Sequence, residues 1–224
     1  MSEPSRIYID QYDVDERLAQ FGLERETFVT AAQENYAAFA ACTANHPPTY
    51  PGLSAWAETN RSLADGLTIL RWGTSQSERN LPLVVNHAET MAITASSGDE
   101  DTGREDGFPC TRSSKGPCTA DFLKVNKKQQ KFFFMEDPAD IAAAMQKPGR
   151  STWIFLVCRD LQRNELRYEL SRPIAMSDDG HVDDWAERII FPPTPLDPDA
   201  GMVANGNGTG GQSPEISVEI KKIK

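Results

Sequence analysis

Six apolar residues in a row, Trp153-Ile154-Phe155-Leu156-Val157-Cys158, constrain the fold of this chain more than any other feature. Successive side chains of a strand point to opposite faces, so an uninterrupted apolar run predicts a strand covered on both sides. A turn at Gln162-Arg163-Asn164 then leads into Leu166, Tyr168 and Leu170, which alternate with Glu165, Arg167 and Glu169. That alternation predicts a second strand with one wet face. Pro173-Ile174-Ala175-Met176 reverses at Asp179-Gly180 into Val182 through Phe191, a further hairpin. Together these segments predict an antiparallel meander over 152–191 at the centre of a sheet.

The N-terminal fifth has helical spacing. Asp13 with Glu16 three residues on has the form of a capping box, Leu18 and Phe21 give an apolar stripe, and Gly22 ends the segment. A second helix is predicted over 24–42, with Phe28, Ala32 and Phe39 on one face. His46-Pro47-Pro48 and Pro51-Gly52 close this region, and a third helix is predicted from Leu53 to Leu63 with Trp56 inward. Strand candidates follow at 67–72, 83–85 and 91–95. Residues 122–134 suit either a helix or an exposed strand, and 137–145 a short helix with proline in its first turn. The Pro, Asp, Gly and Asn of 194–214 read as a flexible linker, and Ile216-Ser217-Val218-Glu219-Ile220 alternates as an edge strand does. The fold class expected is α+β. An N-terminal helical segment (1–66) packs on a mostly antiparallel sheet (67–193) of the same domain, followed by the linker and a C-terminal edge strand (215–224).

Charge narrows the function classes. With 23 basic and 33 acidic residues the net charge is −10, which disfavours whole-surface binding to nucleic acid. No apolar run approaches the roughly 18 residues of a membrane span, and the first residues lack the apolar stretch of a secretory signal. The expectation is a cytoplasmic chain with no membrane partner. Cys110 and Cys118 flank a Ser, Lys and Gly loop at a spacing that fits no usual zinc motif, and reduced thiols are expected.

Residues 96–131 hold the candidate chemistry. They begin with an acidic knot, Ser97-Gly98-Asp99-Glu100-Asp101-Thr102-Gly103, that extends to Gly107. The sign then reverses: Arg112, Lys115, Lys124, Lys127, Lys128 and Lys131 face only Asp121, a local excess of cations in an acidic chain. Thr111-Arg112-Ser113-Ser114-Lys115-Gly116-Pro117 combines backbone N–H groups near glycine, hydroxyls and cations, the groups a phosphate needs. Arg112, Lys115, Lys124, Lys127 and Lys128 are therefore candidate phosphate or nucleic-acid contacts. Asp99 and Asp101, with His87 on a neighbouring strand or turn, are candidate ligands for Mg²⁺ or Mn²⁺. A solvated turn and a solvated helix face are the plainer readings of the two charge runs. Gly206-Asn207-Gly208-Thr209-Gly210-Gly211 matches G-x-G-x-x-G but lacks the strand and helix that its mechanism requires. Glu219-Ile220-Lys221 matches a nuclease-like E-x-K, and an edge strand with outward lysines accounts for it better.

Asn45-His46-Pro47-Pro48, Asn80-Leu81-Pro82-Leu83, Gly98-Asp99-Glu100-Asp101-Thr102-Gly103, Lys115-Gly116-Pro117 and Glu187-Arg188-Ile189-Ile190 together resemble a family of uncharacterised bacterial proteins. The resemblance covers most of the chain and implies a bacterial, cytoplasmic setting with no activity attached. The function expected from the residues is a non-catalytic interaction or accessory protein with a protein partner and no cofactor. The alternatives are a nucleic-acid or phosphate binder through 112–131, and a metal-dependent hydrolase or nuclease at the acidic loop 99–106, which would use Mg²⁺ or Mn²⁺.

Overall fold

The computed structural model of the chain describes residues 5–132 and 149–196. Among these the elements are β1 (Arg6–Tyr8), α1 (Gln11–Gln20), α2 (Arg25–Ala40), α3 (Tyr50–Ile69), β2 (Gly73–Glu78), β3 (Leu81–Asn86), β4 (Met91–Ser97), α4 (Pro117–Phe132), β5 (Ser151–Asp160), β6 (Glu165–Met176), β7 (Val182–Ile190) and β8 (Thr194–Pro195). The strands form one sheet in the order β1-β7-β6-β5-β4-β3-β2, with β8 also pairing with β6. Neighbours are antiparallel except for β1 with β7 and β4 with β5. The class is α+β, as the sequence predicts, and β5, β6 and β7 are the expected meander. The short helix expected at 137–145, the linker beyond residue 196 and the C-terminal strand lie outside the described residues.

The helical segment covers one face of the sheet. The Asp10 carboxylate caps α1 by accepting from Tyr12 N at 2.9 Å, so the cap is not the predicted Asp13 box. Gly22, at φ +68°, turns the chain out of the helix as expected. The third helix is longer than predicted at both ends. Pro51 stands in its first turn, where the missing N–H costs nothing. At the other end Leu67 continues the buried stripe Ala55, Thr59, Leu63 at a spacing of four. The strand expected at 67–72 is therefore the last turn of α3 and the bend after it, because the helical stripe outweighs the β-branched Thr68 and Ile69. Val14, Leu18, Phe28, Leu63 and Leu67 form one core with Trp153, Phe155 and Val157 of β5 and Leu166, Tyr168 and Leu170 of β6. Phe28 lies 5.3 Å from both Phe155 and Phe191, centroid to centroid.

The other face carries α4, so the ambiguous lysine-rich segment is a helix. Leu123 packs with Ile154, Leu156, Val182 and Trp185. The buried Asn126 side chain donates to the carbonyls of Thr152 and Pro173 at 2.7 and 2.8 Å and accepts from Thr152 N at 3.0 Å. The wet face expected for β6 is corrected here. Arg167, Glu169 and Ser171 are buried, because the loop between β4 and α4 folds over them. Arg188 clamps Glu169 with two bonds of 2.6 and 3.0 Å and donates to the carbonyls of Gly107 and Arg104 at 2.8 and 2.9 Å. Arg167 donates to Glu100 O at 2.7 Å, and Gly103 N donates to Glu169 at 2.8 Å. The acidic knot is thus fastened through its backbone to charges on the sheet.

Candidate functional site

A parallel pair of strands forces a crossover: the chain leaves the C-terminal end of β4 and must return to the N-terminal end of β5. Residues 98–150 make that passage. β3 pairs with β4 only at Val84–Ile93 and Val85–Ala92, so the last residues of β4 continue without a strand on that side. Instead α3 holds Ala95 from below: Trp56 Nε1 donates to its carbonyl at 3.1 Å, and Asn60 accepts from its N–H at 3.2 Å. A cleft of about 540 Å³ opens there. Trp56 and Leu53 of α3, Leu81 of β3 and Phe122 of α4 give it apolar walls, and Thr94, Ser96, Ser97, Arg112, Ser113, Lys115 and Thr119 give it polar ones. The volume suits a small molecule, and few polar groups among apolar walls is the usual make-up of a ligand site.

Local turns aim the polar groups. Gly98 and Thr111 form an isolated antiparallel bridge, which closes the acidic loop and starts the basic one at the mouth of the cleft. Thr111 N donates to Val182 O, and its hydroxyl accepts from Val182 N, both at 3.0 Å. Lys115 N donates to Gly180 O at 2.8 Å. Gly180 sits at φ +86° with Ser114 Cβ 3.3 Å from where a Cβ would be, so the predicted Asp179-Gly180 turn both reverses β6 into β7 and holds the site loop.

The Lys115 ammonium turns inward. Its Nζ lies 2.6 Å from Ser96 Oγ and 3.2 Å from Ser113 Oγ. Ser96 is 5% exposed. Burial pushes the Lys115 pKa below the usual lysine value, and no carboxylate opposes the shift. Arg112, exposed on the rim, makes no side-chain hydrogen bond or ion pair among the described residues. A third cation stands close by: burial, and then the charge of Arg112, lower the pKa of Arg159. Arg159 donates to Asn35 Oδ1 at 2.5 Å and lies 4.4 Å over the Phe39 ring, an amide and a ring in place of an acid. Thr94, 3% exposed in the cleft wall, has a hydroxyl without a hydrogen-bond partner among the described residues. Buried hydroxyls are normally bonded.

Of the five basic residues picked from the sequence, Arg112 and Lys115 meet in this cleft. Lys124, Lys127 and Lys128 lie on the outer face of α4; Lys124 pairs with Asp121 at 3.3 Å, and Asp121 also pairs with Arg79 at 3.0 Å. The three residues chosen as metal ligands are not brought together. His87 follows β3 at the N-terminal end of β4, and Asp99 and Asp101 follow its C-terminal end, roughly 20 Å away at ~3.3 Å per strand residue. Asp99 accepts from Asp101 N and Asp101 from Phe108 N, both at 3.2 Å, so both carboxylates brace their own loop. No group of three or more His, Cys, Asp or Glu side chains with metal-site geometry occurs among the described residues. No helix among them is long and apolar enough to cross a membrane. Sequence reading missed Ser96 and Thr94, whose one signal is their position at the end of an apolar strand before a polar crossover. No protein-family model, no curated protein and no solved structure matches the chain.

Proposed function

We propose that this protein binds a small organic anion, a phosphate or carboxylate on an apolar body, in the cleft at the end of β4. One observation carries the reading. In a chain of net charge −10, Lys115 and Arg112 line one cleft and neither has a carboxylate against it among the described residues. With ten more acids than bases to draw on, a chain that leaves two neighbouring cations without acids has kept their charge for something else. The unpartnered Thr94 hydroxyl in the same wall supports a polar occupant, and Trp56, Leu53 and Phe122 support an apolar body attached to it. Arg112 supplies the permanent charge. The narrower phosphate reading of 112–131 is kept for Arg112 and Lys115 alone. The exposed Ile69, Phe108 and Leu161 stand on three separate elements and carry no argument for a protein partner.

Calorimetric titration with inorganic phosphate, phenyl phosphate and benzoate tests the reading. Phenyl phosphate is expected to bind more tightly than inorganic phosphate. Arg112→Gln should weaken it about tenfold or more, the loss of a charged hydrogen bond worth ~1.5–3 kcal/mol. No heat with any of the three removes the proposal. Equal binding of a single-stranded oligonucleotide that Lys127→Glu with Lys128→Glu abolishes would move the site to the outer face of α4.

A further inference from the structure

We propose that Ser96 is a nucleophile, that Lys115 is its general base, and that the cleft transfers the acyl group of an ester whose anionic end is held by Arg112. The last element rests on the anion-binding reading above; the first two do not.

Lys115 Nζ donates to Ser96 Oγ, and the Ser96 hydroxyl donates to Ser97 O over a long 3.3 Å, which a neutral amine at 2.6 Å can outcompete for the proton. Ser96 Oγ and Lys115 Nζ are 2.6 Å apart, inside the reach of direct proton transfer. Ser113 Oγ, 3.2 Å from the same nitrogen, gives the amine a second partner that fixes its direction, the third group that such a pair needs. An amine serves as base only when neutral, and a lysine becomes neutral near physiological pH only if it is dry and without an acid. Burial lowers the Lys115 pKa and no carboxylate raises it again, so its neutral amine forms at a lower pH than that of a free lysine. The cleft beside the pair is wide enough for a substrate, and Trp56, Leu53 and Phe122 give it apolar walls.

The Thr94 hydroxyl completes the set. Thr94 and Ser96 are two residues apart on one strand, so their side chains share a face with Cα atoms roughly 7 Å apart. A buried hydroxyl without a partner is a donor free to meet the carbonyl oxygen as it gains charge.

The chemistry balances with groups in hand and water. Ser96 Oγ bonds to the ester carbonyl carbon as its proton passes to the neutral Lys115 Nζ. The tetrahedral intermediate collapses, the bond from carbon to the leaving oxygen breaks, and that oxygen takes the proton from Lys115 and departs as an alcohol. Ser96 is now acylated. Water then attacks the acyl carbon while Lys115 removes its proton. The carbon–Oγ bond breaks, Oγ recovers that proton, and a carboxylic acid leaves. The net reaction is ester plus water to acid plus alcohol.

Phenylmethanesulfonyl fluoride, followed by intact and peptide mass spectrometry, reads the nucleophile directly. The expected result is one sulfonyl adduct on Ser96, formed faster as the pH rises and the lysine loses its proton. Lys115→Arg keeps the charge and the donors but cannot act as a base, so it should lower the labelling rate by about 100-fold or more. Lys115→Met should lower it equally. Ser96→Ala should abolish the adduct. If that variant does not fold, Ser96→Cys keeps the volume and should take iodoacetamide at this position faster than at Cys42, Cys110, Cys118 or Cys158. Hydrolysis of a 4-nitrophenyl monoester of succinate should exceed that of 4-nitrophenyl butyrate, and Arg112→Gln should remove the preference. No adduct on Ser96 while phosphate still binds overturns the nucleophile and leaves the binding reading standing. An adduct indifferent to Lys115→Arg overturns the base. An adduct with no preference for the anionic ester overturns the role of Arg112 and the binding reading with it.

Discussion

Lys115 is held by two serine hydroxyls in a site where burial makes its charged form harder to keep than in water, and that penalty reaches the stability of the whole fold. An ammonium that is harder to protonate in the folded state than in the unfolded chain gives the unfolded chain more bound protons between the two pKa values. Stability contributed by this group therefore rises as pH climbs from the lowered folded value towards the ordinary 10.5 of a free lysine. Cys110 and Cys158 act in the opposite sense. Burial raises both thiols above 9.0, so the unfolded chain releases their protons first and stability falls over the range they titrate in. The wild type alone would mix the two trends. Subtracting the urea midpoints of Lys115→Met from those of the wild type at each pH isolates the lysine, and the difference should move in favour of the wild type as pH rises. A flat difference would mean that the ammonium is not desolvated.

Between β6, β7 and the loop 98–111 the charges behave as one unit. Glu169 is fully buried, takes two bonds from Arg188 and one each from Ser171 Oγ and Gly103 N. Glu169→Met or Arg188→Met should each cost about 3–5 kcal/mol, because each leaves a buried charge without its counterpart. Glu169→Met with Arg188→Met together should cost clearly less than the sum, since an apolar pair leaves no charge behind. Urea unfolding of the wild type, the two single methionine variants and the double variant measures the coupling; strict additivity would show that the pair does not hold the loop. The same network explains what the sequence conceals. The run 153–158 reads correctly as a strand covered on both faces because burial is written in six consecutive residues. Glu165, Arg167 and Glu169 read as a wet face because their cover comes from residues some sixty positions earlier, beyond any local pattern. Gly73–Glu78 carries almost no apolar residue, and as an edge strand exposed along most of its length it leaves no alternation to find. Asp179-Gly180 and Lys115 are each visible in the sequence, but only the pairing of β4 with β5 brings Ser96 to the lysine. That pairing depends on a parallel register no short window records.

At the scale of the molecule the sheet joins distant parts of the chain through one aromatic cluster. Phe155 touches Phe28 of α2, Tyr168 of β6 and Phe191 just after β7, with centroids 5.3 to 6.3 Å apart. Phe155→Ala should cost about 3–5 kcal/mol in urea unfolding, as truncation of a fully buried phenylalanine does, and a loss under about 1 kcal/mol would show that the cluster is not the centre of the core. The cluster also sets a schedule for synthesis. Phe28 leaves the ribosome roughly 160 residues before Phe191, and at ~5–20 residues per second that is an interval of roughly 8 to 30 seconds. Throughout it the Phe28 ring lacks its stacking partner Phe191, and β1 has no β7 to pair with. The nascent chain carries an open side of its aromatic cluster and an unpaired first strand until its last long strand emerges, which makes this fold a natural client for a chaperone that waits at the exit tunnel and lets go only when β7 arrives.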